Sequence, residues 1–223
     1  MTAKSYLLRI LIFGLLACCA VVGINYVADP YGITGMQRVP GFNEHKIEIN
    51  EHTRVLKKYQ PLLREHSALV VGNSRVELGI APAHACFRGA GMQLYNLGMP
   101  GAEVETQLAY ALNLLYQQPV KTVFLSLDFT DFISTSTLPR DGDSALDRAM
   151  AGFRFTAAGE QNPDYYQSVL RDYFKSLFSL DALVASVRTI ALQSDTSADR
   201  DDAGFNLRLR PWGTFSISRR RAA

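Results

Sequence analysis

The sequence predicts an α/β protein, in which a parallel sheet with intervening helices follows one N-terminal membrane-spanning helix. Three observations predict this fold class: an apolar run within the first thirty residues, short apolar segments typical of buried strands, and amphipathic segments between and after them. The chain has 223 residues, 48% of them hydrophobic and 20% charged, which suffices for an anchor and one domain with a core. Its formal net charge of +2 gives no basic field, so nucleic acid is not expected as a partner.

The apolar run covers residues 6–27 and contains a single charge, Arg9, near its start. As a helix it would be about 33 Å long, close to the thickness of the hydrocarbon layer of a bilayer. Lys4 and Arg9 flank its amino end and Asp29 follows it. The positive-inside rule therefore predicts a single-pass signal anchor, with the N-terminus in the cytoplasm and the rest of the chain outside.

Two other export signals remain open for the same segment. A cleaved signal peptide normally has a shorter apolar region and a small-residue cleavage site, which this run lacks. Residues 15–18, Leu-Leu-Ala-Cys, loosely resemble a lipoprotein signal centred on Cys18. The apolar run continues well beyond Cys18, which favours a spanning helix, and all three interpretations export the domain.

The chain as a whole divides by composition into four parts. We expect an anchor over residues 1–28, a linker and polar helix over 29–66, an α/β domain over 67–206 and a basic disordered tail over 207–223. The charges of residues 50–66 are interpreted as a solvated helix face.

Three short apolar segments are predicted to form neighbouring parallel strands: residues 68–71, 93–96 and 122–127. Residues 102–116 show helical spacing, with Leu108, Ala111, Leu112 and Leu115 predicted to face inward. Residues 164–193 predict one or two amphipathic helices, and residues 134–147 a loop. Because ligands bind at the carboxyl ends of parallel strands, the residues that follow each strand are the candidates for a site.

Ser74 is the main candidate, since it follows the first predicted strand directly, after Gly72 and Asn73. A strand fixes the backbone of such a serine, and the neighbouring glycine lets a substrate approach closely. The same position also suits a serine that merely caps the next helix. Position alone does not decide between a nucleophile and a cap.

Three sequence blocks together resemble the SGNH (GDSL-like) hydrolase superfamily, specifically its membrane-anchored bacterial branch linked to cell-surface polysaccharides. The blocks are residues 70–75 (VVGNSR), 95–101 (YNLGMPG) and 123–129 (VFLSLDF). Residues 29–32 (DPYG) and 50–59 are also similar to that branch. The resemblance covers about residues 28–195 and rests on several weak blocks in the expected order.

The resemblance implies a three-layer, flavodoxin-like parallel sheet and an acyl esterase or acyltransferase acting on surface polysaccharide. It implies Ser74 as the nucleophile, the N–H of Gly101 in the oxyanion hole, and a pocket that includes Asn73, Asn96 and Asp128. The implied partners are the lipid bilayer of the bacterial inner membrane and an acylated glycan or a membrane acyltransferase. No cofactor and no metal are expected, since no nucleotide-binding motif and no cluster of metal ligands occurs in the sequence.

Two departures from the family pattern favour an alternative, a catalytically inactive member that binds or scaffolds. Asp128 occupies the position where the family offers an asparagine, and an ionised carboxylate cannot donate to an oxyanion. The family's final Asp-x-x-His block is absent. Among the histidines only His84 follows Ser74, and without a base a serine is a poor nucleophile.

The missing final block also predicts that this chain is an incomplete version of a longer protein. Its last residues are arginine-rich and lack helical periodicity, as translation in a shifted frame often produces. An incomplete sheet would leave an unpaired edge and exposed apolar surface. The alternative is a natural short member whose basic tail binds anionic lipid or glycan.

Overall fold

The computed structural model describes residues 3–129, 145–195 and 200–207. These residues form a three-stranded parallel sheet with helices on both faces, preceded by a long apolar helix. The helices are α1 (Ala3–Ala28), α2 (Thr53–Tyr59), α3 (Ser74–Gly79), α4 (Ala85–Gly89), α5 (Val104–Leu115), α6 (Ala145–Met150), α7 (Tyr165–Phe178) and α8 (Leu180–Ala191). A 3₁₀ turn, Gln60–Leu63, continues α2, and the strands are β1 (Ala68–Gly72), β2 (Leu94–Gly98) and β3 (Thr122–Leu125).

The sheet has the order β2-β1-β3, and both neighbours run parallel to the central strand. Ala68 of β1 lies opposite Leu94 of β2 and Thr122 of β3. The prediction of neighbouring parallel strands is confirmed, although their bounds differ. The second strand runs on to Gly98, and the third ends at Leu125, opposite Val71 of β1.

Side chains of β1 alternate between two apolar layers, as the pleat of a strand requires. Leu69 and Val71 pack in the layer that contains α5 and α6, whereas Ala68 and Val70 face α3. The main core therefore lies between the sheet and α5.

Helix α5 begins two residues later than predicted, and its inward face differs from the predicted one. Leu115 is exposed, while Ala111 and Leu114 are buried together with the polar Gln107. Gln107 tolerates burial because its side-chain amide donates to the carbonyl of Ala102 at 2.8 Å. A prediction that considers apolar residues alone therefore leaves Gln107 out of the inward face.

The segment predicted as a linker is packed into the domain. Asp29 adopts a positive φ of 45° where α1 ends, and its carboxylate accepts hydrogen bonds from the N–H groups of Ile33 (2.8 Å) and Thr34 (3.1 Å). Lys46 forms a buried ion pair with Asp29 at 3.4 Å. The anchor helix therefore passes into the domain through a fixed turn.

The expectation of a solvated charged face over residues 50–66 is wrong for two lysines of α2. Lys57 and Lys58 are both buried. Lys58 pairs with Asp172 of α7 at 2.7 Å, and the hydroxyl of Tyr59 donates to the same carboxylate at 2.7 Å. Helix α2 is thus held between the sheet and α7.

Helix α1 is 26 residues long and, by length and composition, apolar enough to cross a membrane. Its last turns contact α7 and α8. The predicted basic tail over 207–223 lies, apart from Leu207, outside the described residues, as does the predicted loop up to residue 144.

Candidate functional site

Ser74 is the first residue of α3, immediately beyond the carboxyl end of the buried strand β1. The cap of this helix is Asn73, whose side-chain oxygen accepts from the N–H of Arg75 at 3.0 Å. Ser74 is therefore not the capping residue, and its hydroxyl makes no hydrogen bond with any residue that the structure describes.

Two glycines allow α3 to begin so close to the strands. A Cβ on Gly98, at the end of β2, would lie 2.4 Å from the backbone nitrogen of Glu77. A Cβ on Gly72 would lie 2.3 Å from the side chain of Val76. Both contacts are impossible for any other residue without displacement, so these glycines place the start of α3 against β1 and β2.

The third strand contributes Asp128. The side-chain amide of Asn73 donates to one carboxylate oxygen of Asp128, and Arg75 pairs with the other at 2.8 Å. The structure thus brings the side chains of Asn73 and Asp128 together. Here Asp128 acts as an acceptor paired with a guanidinium, so it is not the oxyanion donor that the family places at this position.

A cavity of about 490 Å³ opens beside Ser74 at the carboxyl ends of β1 and β2. Its wall includes Ser74, Glu77 and Leu78 of α3, and Pro100 of the turn after β2. The other lining residues are Asn50, Arg200 and Asn206. Gly101 follows Pro100 in that turn with a positive φ of 62°, but it does not itself line the cavity.

Asn96 has a structural role that the sequence did not indicate. Its side-chain amide donates to the carbonyls of Val76 and Ile80, both at 2.8 Å, and its oxygen accepts from the N–H of Gly98. The residue is fully buried. Asn96 therefore ties β2 to α3 and presents no polar group to a ligand.

Sequence reasoning missed a buried group of charges in the wall of the cavity. Glu77 and Arg200 form an ion pair at 2.7 Å, with 1% of each side chain exposed. The Nη1 atom of Arg200 is buried and has no hydrogen-bond partner among the described residues. Glu77 lies three residues after Ser74, but Arg200 comes from a distant segment and no local pattern marks it.

Lys57 completes this group. Its amine donates to the backbone carbonyls of Asn96 and Gly204, both at 2.5 Å. Burial lowers the pKa of Lys57 to about 7, an effect that the nearby Glu77 carboxylate opposes and the Arg200 guanidinium reinforces. At neutral pH the cluster therefore holds a lysine poised between its two charge states.

All four histidines fall within the described residues, and none of them lines the Ser74 cavity. His84 caps α4 by accepting from the N–H of Cys86 at 3.3 Å, and the ring of His52 packs on Tyr31 with centroids 4.0 Å apart. No histidine therefore stands beside Ser74 as a general base. Within the described part of the chain, no group of three His, Cys, Asp or Glu residues is placed to hold a metal ion.

The remaining two histidines line a broader depression of about 1020 Å³ near the amino ends of β1 and β2. His66 is buried there, against the ring of Tyr95, and its Nε2 has no hydrogen-bond partner among the described residues. Burial, reinforced by the charge of Arg64, lowers its pKa to about 4. This depression lies at the end of the sheet opposite to the one where parallel sheets bind ligands.

No protein-family model, no curated protein and no solved structure matches this chain. The resemblance to SGNH hydrolases therefore rests on the three sequence blocks alone.

Proposed function

We propose that this chain is an exported, membrane-anchored SGNH-like protein whose Ser74 cavity receives an acyl ester of a cell-surface polysaccharide. One observation carries the proposal: Ser74, whose hydroxyl is not engaged by any described residue, directly follows a buried parallel strand and lines a cavity of about 490 Å³. Such a position suits a nucleophile held by rigid elements. The proposed fold is the flavodoxin-like sheet of that superfamily.

In the catalytic version, the Ser74 oxygen attacks the acyl carbonyl while the N–H groups of Ser74 and Gly101 receive the oxyanion. The bond between the acyl carbon and the alcohol oxygen of the donor then breaks, and the departing alcohol takes up a proton. Transfer of the acyl group from Ser74 to water makes the protein an esterase, and transfer to a glycan hydroxyl makes it an acyltransferase. Either outcome requires a base to accept the serine proton.

A second candidate is a catalytically inactive protein that binds the same glycan or scaffolds a membrane assembly. A specific observation favours it: none of the four histidines lines the cavity, and Asp128 is bound to Asn73 and Arg75. The described side chains thus provide a binding cavity with a candidate nucleophile, and they favour binding over turnover.

Acyl-ester hydrolysis by the full chain in detergent, and labelling of Ser74 by a fluorophosphonate probe, separate the two candidates. Ser74→Ala tests the nucleophile, and Ser67→Ala, at the opposite end of β1, is the matched control. Loss of turnover and labelling in the first variant alone supports the enzyme.

Binding of an acetylated polysaccharide without turnover supports the second candidate. This binding should disappear in Leu78→Trp, which fills the cavity, and should persist in Ser67→Ala. A chain that neither turns over the ester nor binds the glycan contradicts both candidates.

For the membrane we propose a single-pass anchor in a bacterial inner membrane, with the domain outside the cytoplasm. Lys4 and Arg9 at the amino end of α1 support this orientation. A phosphatase fused after residue 45 should be active outside the cytoplasm, and the protein should stay with membranes after an alkaline wash. A soluble processed form would contradict the anchor, and loss of anchoring in Cys18→Ala would favour the lipoprotein alternative.

A further inference from the structure

The pair of helices α7 and α8 carries an apolar face that no described residue covers. Six side chains on this face, called here the outer face, are each at least half exposed: Tyr166, Leu170, Phe174, Phe178, Leu180 and Val184. The rings of Phe174 and Phe178 stack on each other, with centroids 4.9 Å apart. Exposed apolar side chains in one continuous stripe mark an interaction surface.

The opposite sides of the same helices are already used for packing. Ala182 and Ala185 of α8 are buried in a cluster with Tyr31 and Tyr59, and Tyr173 of α7 packs against it. Helix α7 therefore has two apolar sides, and the fold of the domain accounts for one of them.

The outer face adjoins the end of the anchor helix. Asn25 in the last turns of α1 donates to the carbonyl of Leu177 at 2.8 Å and accepts from the hydroxyl of Ser186 at 2.8 Å. Residues 9–20 of α1 are exposed throughout, and burial of the helix begins at Val21. The junction between α7 and α8 is thus held against the carboxyl end of α1.

This location coincides with the outer boundary of a bilayer that α1 spans. About 20 apolar residues cross the hydrocarbon layer, so a span that begins near Tyr6 ends near Asn25. Val21, where partial burial begins, lies one helical turn before Asn25, about 6 Å further into the membrane. Amphipathic helices at an interface bury their apolar faces to about 5–10 Å, which is a comparable depth.

The composition of α7 also matches a lipid interface. Tyrosine is enriched at the boundary between headgroups and acyl chains, where Tyr166 would lie. Phenylalanine is typical of the buried face of interfacial helices, where Phe174 and Phe178 would lie. Arg171 and Lys175 are exposed on the same helix. Long basic side chains of this kind extend toward lipid phosphates while their stems remain apolar.

We propose that the outer face of α7 and α8 lies in the headgroup–acyl boundary of the bilayer that α1 spans, on its outer side. The proposal rests on the membrane anchor proposed above. It gives the domain a second attachment, so that the sheet is held against the lipid surface and does not stand away from it on a single helix.

Tryptophan quenching in vesicles tests this placement on the full chain. The background is Trp212→Phe, and single tryptophans are introduced as Phe174→Trp, as Val184→Trp, as Phe13→Trp within α1, and as Phe87→Trp on α4 across the sheet. Each variant is reconstituted into phosphatidylcholine–phosphatidylglycerol vesicles whose acyl chains are brominated close to the headgroup. A circular dichroism spectrum equal to that of the parent verifies folding for each variant.

We expect quenching at positions 174 and 184 to exceed that at position 87 by about twofold or more, since interfacial helices reach the upper acyl carbons. A second set of vesicles, brominated deeper in the acyl chains, tests the anchor separately through quenching of the tryptophan at position 13. If position 13 is quenched while 174 and 184 behave like 87, the anchor stands and the placement of the outer face is overturned. If position 13 is not quenched, both are overturned.

Discussion

Strands β2 and β3 flank β1 in the same parallel register, yet they differ in how much of their surface is buried. All five residues of β2 are buried, whereas Val123, Phe124 and Leu125 of β3 are each about two-fifths exposed or more. Both strands pair in parallel with β1, β2 over five residues and β3 over four. Pairing alone therefore does not bury a strand; the elements that pack over its two faces do so.

On the β2 side those elements also build the candidate site. Helix α3 begins against Gly98, and the N–H of Asn96 donates to the carbonyl of Ala203 at 2.8 Å, which places this segment beside the outer edge of the strand. On the β3 side, the contribution to the site is Asp128, held by Asn73 and Arg75. Asp128 thus enters the candidate site from the segment that follows the less covered strand.

The largest effect should come from the buried ion pair on the β2 side. Arg200→Met leaves the Glu77 carboxylate buried without its partner, which should lower the free energy of unfolding by about 3–5 kcal/mol. Arg64→Met breaks an exposed pair with Asp202 and should cost about 0–1 kcal/mol. Urea denaturation of the detergent-solubilised full chain measures both, and equal losses would contradict the asymmetry.

A pair of leucines tests the two strands directly. Leu97 of β2 is fully buried, and Leu97→Ala should lower the free energy of unfolding by about 3 kcal/mol, through lost burial and the cavity left behind. Leu125 of β3 is 46% exposed, and Leu125→Ala should cost less than about 1 kcal/mol. The same urea titrations apply. A loss at Leu125 as large as that at Leu97 would mean that β3 is covered in solution.

The amino end of β1 offers a test by pH. The pKa of His66 is lowered from 6.5 to about 4, so between these values the unfolded chain binds a proton at this residue and the folded chain does not. The contribution of His66 to the free energy of unfolding is therefore complete well above pH 6.5 and is lost as the pH falls toward 4. A difference of about 2.5 pKa units corresponds to a loss of about 3 kcal/mol, at about 1.4 kcal/mol per unit.

The matched variant is His66→Phe, which keeps an aromatic ring against Tyr95 and removes the titrating group. The free energy of unfolding of this variant, measured across the same interval, should decline less steeply than that of the parent. Parallel profiles for the two proteins would show that His66 does not carry the effect.

The smallest effect on stability should come from the edge of β3. Val123 is 41% exposed, so Val123→Lys should change the free energy of unfolding by no more than about 0.5 kcal/mol. A lysine on an open strand edge discourages pairing with another chain. Light scattering should therefore show less self-association than in the parent, and unchanged association would indicate that the edge of β3 is not where copies meet.

Much of the fold could be predicted because its signals are local. The apolar run of α1 and the three short strands follow from composition, helped by the glycines that end the first two strands, and the parallel sheet is confirmed. Ser74 was identified because it follows a strand directly. The Ser74 hydroxyl does not cap α3, since the side chain of Asn73 does so.

The remaining features depend on contacts between distant segments. Arg200 meets Glu77 across 123 positions of sequence, and Lys57 donates to Gly204 from a helix whose charges suggested a solvated face. The sequence resemblance predicts Asn96 in the pocket. Its side-chain amide instead donates to the carbonyls of Val76 in α3 and of Ile80, the residue that follows this helix. Periodicity and motifs carry no information about such pairings.

The turn at Asp29 has a consequence for what the protein can reach. The Asp29 carboxylate accepts a hydrogen bond from the turn after α1 and pairs with Lys46, so side-chain contacts hold the helix to the domain at this turn. In the proposed anchored protein, the domain would therefore move as one body with its helix, and the mouth of the Ser74 cavity would keep a constant height above the lipid surface. A glycan held further from the membrane would then lie beyond the reach of the cavity.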